Sequence, residues 1–103
     1  MRGQWNLREW ELDHWKNIIR LSIDRLNLGV ETIDLSDKDI NPYQVQTVLE
    51  ALGWEHDEEA DINNGWEMDF WMYFRHPDSD KILVIAACGM RFSLELYYQE
   101  VYV

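Results

Sequence analysis

From Trp66 to Phe74 the chain alternates with a period of two. Trp66, Met68, Phe70, Met72 and Phe74 fall on one side, and Glu67, Asp69, Trp71, Tyr73 and then Arg75 on the other. This pattern predicts a long amphipathic strand. Pro77-Asp78-Ser79-Asp80 predicts a turn, Lys81–Cys88 a near-continuous apolar strand, and Gly89 a tight reversal into a last strand over Arg91–Glu100. In that last strand Phe92, Leu94, Leu96 and Tyr98 share a face, with Arg91, Ser93, Glu95, Tyr97 and Gln99 opposite. The middle strand is apolar on both sides, which places it at the centre of the sheet.

Upstream the period changes to that of a helix. Leu12, Trp15, Ile19, Ile23 and Leu26 recur at spacings of three and four, predicting a helix over about Leu7–Leu28, with Asn6 as N-cap, Glu9 completing a capping box and Gly29 as the stop. A second helix is expected over Pro42–Leu52. Asn41 can cap it, Pro42 suits its first position, Gln44 completes the box, and Ile40 and Val45 occupy the staple positions. Val45, Val48, Leu49 and Leu52 form its apolar face and Gly53 ends it. Val30–Leu35 reads as a short strand or extended connector. Trp54–Ile62 reads as an acidic edge strand leading into a hairpin turn at Asn64-Gly65.

These elements predict an α+β fold, with two helices packed on one face of a three- to four-stranded antiparallel meander sheet. No internal repeat or linker interrupts the sequence, so residues 1–103 read as a single globular domain. A hydrophobic content of 47% and six Trp residues exclude a disordered acidic tail. Trp15, Trp54 and Trp66 are expected in the core. The single cysteine, Cys88, lies in the apolar run and reads as a buried, inert thiol in a reducing, cytoplasmic compartment. Neither a signal peptide nor a membrane span is visible.

Charge changes the picture more than composition does. Between Gly29 and Asp69 twelve Asp/Glu face one Lys, a local net of −11 that equals the net charge of the whole chain. The flanks are electrically balanced. Such a segment attracts basic surfaces and repels nucleic acid, so a basic protein partner is expected rather than direct DNA or RNA binding.

Motifs for chemistry are sparse. His56, Asp57, Glu58, Glu59 and Asp61 carry ligand atoms for a divalent ion, yet they lack the ordering of a calcium loop or any zinc spacing, and a solvated acidic edge is the better reading. No metal and no cofactor is expected. Glu67 and Asp69 stand two apart on one strand, a separation that a carboxylate pair could use, although outward carboxylates are more often only solvated. His14, His56 and His76 are scattered, Cys88 has no cationic neighbour to activate it, and the glycines occur singly. No catalytic residue is assigned and no enzyme activity is expected.

Recognition of a protein remains. Trp71, Tyr73 and Tyr97 fall on the sheet face opposite the inferred core, interleaved with Glu67, Asp69 and Glu95. Together with Glu55, Asp57, Glu58, Glu59 and Asp61 they form the expected partner-binding set, the aromatics supplying contact area and the carboxylates steering. The competing reading is a second core layer covered by the N-terminal segment through Trp5 or Trp10. The function expected is an acidic binding module that neutralises a basic toxin or nucleic-acid enzyme by occlusion. The analogy is to immunity proteins and DNA-mimicking phage inhibitors, and it rests on size and charge. The alternatives are a homodimeric interaction module built on the aromatic face, and a small carboxylate- or metal-dependent enzyme using Glu67, Asp69 and His56.

Overall fold

The computed structural model describes residues 7–66 and 69–98, the side chains of residues 64–66 excepted. The order of elements is α1 (Glu9–Asn27), β1 (Ile33–Asp34), α2 (Pro42–Ala51), β2 (Glu55–His56), a 3-10 turn (Glu58–Ala60), β3 (Ile62–Trp66), β4 (Asp69–Arg75), β5 (Lys81–Cys88) and β6 (Arg91–Tyr98). The fold is α+β as expected, but the sheet has six strands rather than three or four. Its order is β1-β6-β5-β4-β2, with β3 also pairing β4, and every pairing is antiparallel. The apolar strand β5 is central, as its two-sided pattern requires.

α2 forms as its capping signals dictate. The Asn41 side chain accepts the Gln44 backbone N–H at 2.9 Å, and the Gln44 side chain accepts the Asn41 N–H at 3.0 Å. Val45, Val48 and Leu49 are fully buried beneath it. α1 buries Trp15, Ile19 and Leu26 of the expected stripe and, outside it, Ser22, while Leu12 and Ile23 are only partly buried. Ser22 is tolerated there because its hydroxyl donates to the Ile18 carbonyl at 2.9 Å. The start of α1 differs from expectation. Arg8 is its N-cap, and the Arg8 N–H donates to Glu11 at 3.2 Å, so Glu9 is the first helical residue; Asn6 lies outside the described residues.

Asn64-Gly65 does not make the hairpin turn. The pair lies inside β3, where Ile62 faces Trp71, Asn63 faces Phe70 and then Trp66 faces Asp69, so the register shifts between Asn63 and Trp66. The two extra residues form a bulge, in which glycine is at home. The strand expected to start at Trp66 therefore starts at Asp69.

Both helices pack on one side of the sheet. Phe70, Met72 and Phe74 of β4, Leu83, Ile85 and Ala87 of β5, and Phe92 and Leu94 of β6 meet Trp15, Ile19, Leu26, Val45, Val48, Leu49 and Trp54 in one core. Burial of each large member contributes about 1.5–3 kcal/mol. Among the described residues no helix is long and apolar enough to cross a membrane.

Candidate functional site

Cross-strand partners share a face of a sheet, so the side opposite the helices can be read row by row. One row runs Ile62, Trp71, Ala86, Ser93, Asp34; the next Tyr73, Val84, Glu95; the next Glu55, Arg75, Ile82, Tyr97. At the other end Asp69, Cys88 and Arg91 align. The outward positions of β4 are half-buried and alternate strictly with its buried inward positions. Trp71, Tyr73, Glu95 and Tyr97 are thus brought together, as their parity predicts.

Val84 marks how these side chains lie. It points to the side without helices, yet it is only 1% exposed. Together with Trp71, Tyr73, Glu95 and Tyr97 it lines one open cavity of about 670 Å³, whose apolar floor it forms. The aromatics therefore seal a small apolar layer of their own while keeping an outer surface, with Tyr97 52% exposed. Trp10, a residue expected to cover this face in the competing reading, is instead 66% exposed, and Trp5 lies outside the described residues. A second depression of about 300 Å³, lined by Trp71, Ala86, Cys88, Arg91, Glu95 and Asp34 among others, adjoins the first along the Trp71–Glu95 line.

The acidic segment divides into tied and exposed carboxylates. Asp57 pairs with Arg75 at 3.0 Å, and that hydrogen bond lowers its pKa despite opposing desolvation. Asp61 accepts the Tyr73 backbone N–H at 3.0 Å through Oδ1, and its Oδ2 lies 2.7 Å from His56 Nε2. Glu55, Glu58 and Glu59 are exposed. Asp69 is half-buried, and Glu67 lies outside the described residues, so the proposed carboxylate pair falls partly outside them. At the far edge Asp34 is held at about 2, first by Ser36 through its side chain and backbone N–H, then by Arg91 at 3.1 Å. Glu95 accepts a hydrogen bond from the Tyr97 hydroxyl, which, aided by burial, pushes the Tyr97 phenol up to about 12.

His56 is committed to structure. Its ring stacks on Phe74 with centroids 5.0 Å apart, its Nδ1 lies 3.3 Å from Gln46, and Glu58 stands off at 3.9 Å. Among the described residues no three His, Cys, Asp or Glu side chains are gathered to hold a metal ion. Cys88 corrects another expectation, because it is exposed rather than buried. It ends β5 on the open face, where Ala87 takes the inward position. Sequence reasoning placed Arg75 and Arg91 on this face but missed the pairs they make with Asp57 and Asp34, and missed Asp34 itself. The paired residues lie 18 and 57 positions apart, beyond any local pattern.

Comparison of the chain with protein-family models, with curated proteins and with solved structures finds no match.

Proposed function

We propose that this protein binds a basic, nucleic-acid-acting protein through its open sheet face and occludes the surface that would hold phosphates, in the manner of an immunity protein or a DNA-mimicking inhibitor. The observation that carries this reading is the face itself. Trp71, Tyr73 and Tyr97 lie together on the side of the sheet without helices, with Glu95 among them and exposed Glu55, Glu58 and Glu59 at the adjoining edge. Aromatic side chains bury area at little entropic cost, and carboxylates at the rim accelerate encounter with Lys/Arg-rich surfaces. Asp57 and Asp61 have a different part from the one their charge suggests. Tied to Arg75, His56 and the Tyr73 main chain, they hold the acidic loop against the sheet so that the exposed glutamates keep a fixed position.

Self-association through this face is disfavoured, because each copy would bring a net charge of −11. A single exposed thiol, Cys88, suits action in a reducing cytoplasm.

The test is capture from native lysate on the immobilised protein at about 50 mM salt, release at about 300 mM, and purification of what is released. The expected result is a basic protein whose nucleic-acid binding falls when this protein is added. A retained protein whose nucleic-acid binding is unaffected, or no salt-released protein, contradicts the proposal.

A further inference from the structure

We propose that the cavity between Trp71, Tyr73 and Tyr97 receives one arginine side chain of the partner, its guanidinium lying against the aromatic rings and pairing with Glu95. This rests on the reading of the open face as a partner surface and adds the chemical group recognised there.

Three observations converge. First, among the described residues these aromatic rings do not stack on one another. The described ring contacts join His14 to Trp15, Tyr43 to Phe70, Trp54 to His76 and His56 to Phe74, and none joins Trp71, Tyr73 and Tyr97 to one another although all three line one cavity. Rings that converge without stacking leave their faces to a third group, and a cation is the group an aromatic face attracts.

Second, the cavity holds a carboxylate without a cation. Among the described residues the ion pairs are Arg75 with Asp57 and Arg91 with Asp34, and His56 stands against Glu58 and Asp61; none of these contacts includes Glu95. The partner of Glu95 is the Tyr97 hydroxyl, a neutral donor that orients the carboxylate and leaves its charge uncompensated. The elevated Tyr97 pKa agrees with a phenol that stays protonated beside that charge.

Third, the cations already near the cavity do not fill the place: Lys81 Nζ stands 4.9 Å from the ring centroid of Tyr98, another lining residue, and donates to Asn27 Oδ1. Arg75 lines the same cavity, but its Nε is held by Asp57 at 3.0 Å. That bond draws it toward the β2 edge of β4, whereas Glu95 stands on β6, two strands away across Val84.

The shape favours arginine over lysine. Tyr73 and Glu95 stand on either side of Val84, about 9–10 Å apart at the backbone. A planar guanidinium can present its face to a ring and its N–H edge to a carboxylate at the same time, while an ammonium is a compact and more strongly hydrated point charge. The buried Val84 floor excludes water beneath the bound group and strengthens both contacts.

The test is calorimetric titration of the intact protein with capped octa-arginine and octa-lysine peptides of equal charge at about 50 mM salt. The expected result is a preference for octa-arginine of about tenfold, lost in Glu95→Gln and reduced several-fold in Tyr97→Phe. Glu58→Gln with Glu59→Gln should instead weaken both peptides alike. Circular dichroism confirms that each variant is folded. Equal binding of the two peptides to the unaltered protein, or a preference that survives Glu95→Gln, overturns the arginine site while leaving the acidic face in place. Failure of both peptides to bind overturns the arginine site and counts against the acidic face as well.

Discussion

Asp61 and His56 are joined across the acidic loop, with Asp61 Oδ2 2.7 Å from His56 Nε2, and the same carboxylate caps the Tyr73 backbone N–H at 3.0 Å through its other oxygen. One side chain thus fastens the 3-10 turn to the sheet beneath Tyr73. Asp61→Ala should destabilise the protein by about 1–3 kcal/mol, since it leaves a part-buried backbone donor and an imidazole without their acceptor. Asp61→Asn keeps an acceptor for Tyr73 and should cost less. Glu58→Gln and Glu59→Gln, at exposed positions, should stay within about 0.5 kcal/mol. Urea unfolding of the four variants checks the ordering.

The hydrogen bonds that Asp34 accepts, first from Ser36 and then from Arg91, set an acid limit on the β1 edge. Asp34 titrates at about 2 instead of 3.8, so protonation works against the native state. Its contribution is complete above pH 3.8 and is lost as pH falls through about 2. In a stability profile from neutral pH to pH 2, Asp34→Asn should be less stable than the unaltered protein at neutral pH, and the gap should close on acidification. A constant gap would show that the carboxylate charge is not what Asn removes.

Gly53 ends α2 with φ +95°, and a Cβ there would stand 2.8 Å from His76 Nε2. That imidazole lies 3.3 Å from the Leu52 carbonyl and packs edge-on to Trp54, so it is not free to retreat. Gly53→Ala should therefore cost about 1–3 kcal/mol from the left-handed backbone and displaced ring together. Thermal unfolding measures the loss. Gly29→Ala, where φ is +106° but nothing lies within 4 Å, isolates the backbone part and should cost less.

Much of this fold was legible where local chemistry and tertiary structure agree. Asn41, Pro42 and Gln44 specify the start of α2 by hydrogen bonds that involve no distant residue. The alternation in β4 and β6 placed Trp71, Tyr73, Glu95 and Tyr97 on one face for the same reason. β1 and β2 fall inside the expected Val30–Leu35 and Trp54–Ile62 segments, but their bounds were not legible, because two residues carry no period and each strand exists only by pairing with β6 or β4. At Asn64-Gly65 a strong turn signal lost to the continued pairing of β3 with β4. Cys88 was misplaced because an apolar run hides parity: β5 is buried on both faces at its centre, while its last residue is open. The division of the acidic segment into tied and exposed carboxylates depended on which of them reach Arg75 and the Tyr73 main chain, a long-range pairing that the alternation of β4, though it places both residues, does not convey.

The most direct test of the acidic face is the dissociation constant of the complex with the captured partner, measured between about 50 and about 300 mM salt for the unaltered protein and for a Glu55→Gln, Glu58→Gln, Glu59→Gln triple variant. The expected result is a dissociation constant that rises about tenfold or more with salt, and a flatter dependence with weaker low-salt binding in the triple variant. Affinity that is independent of salt, or a triple variant that keeps the full salt dependence, would contradict electrostatic occlusion through this face.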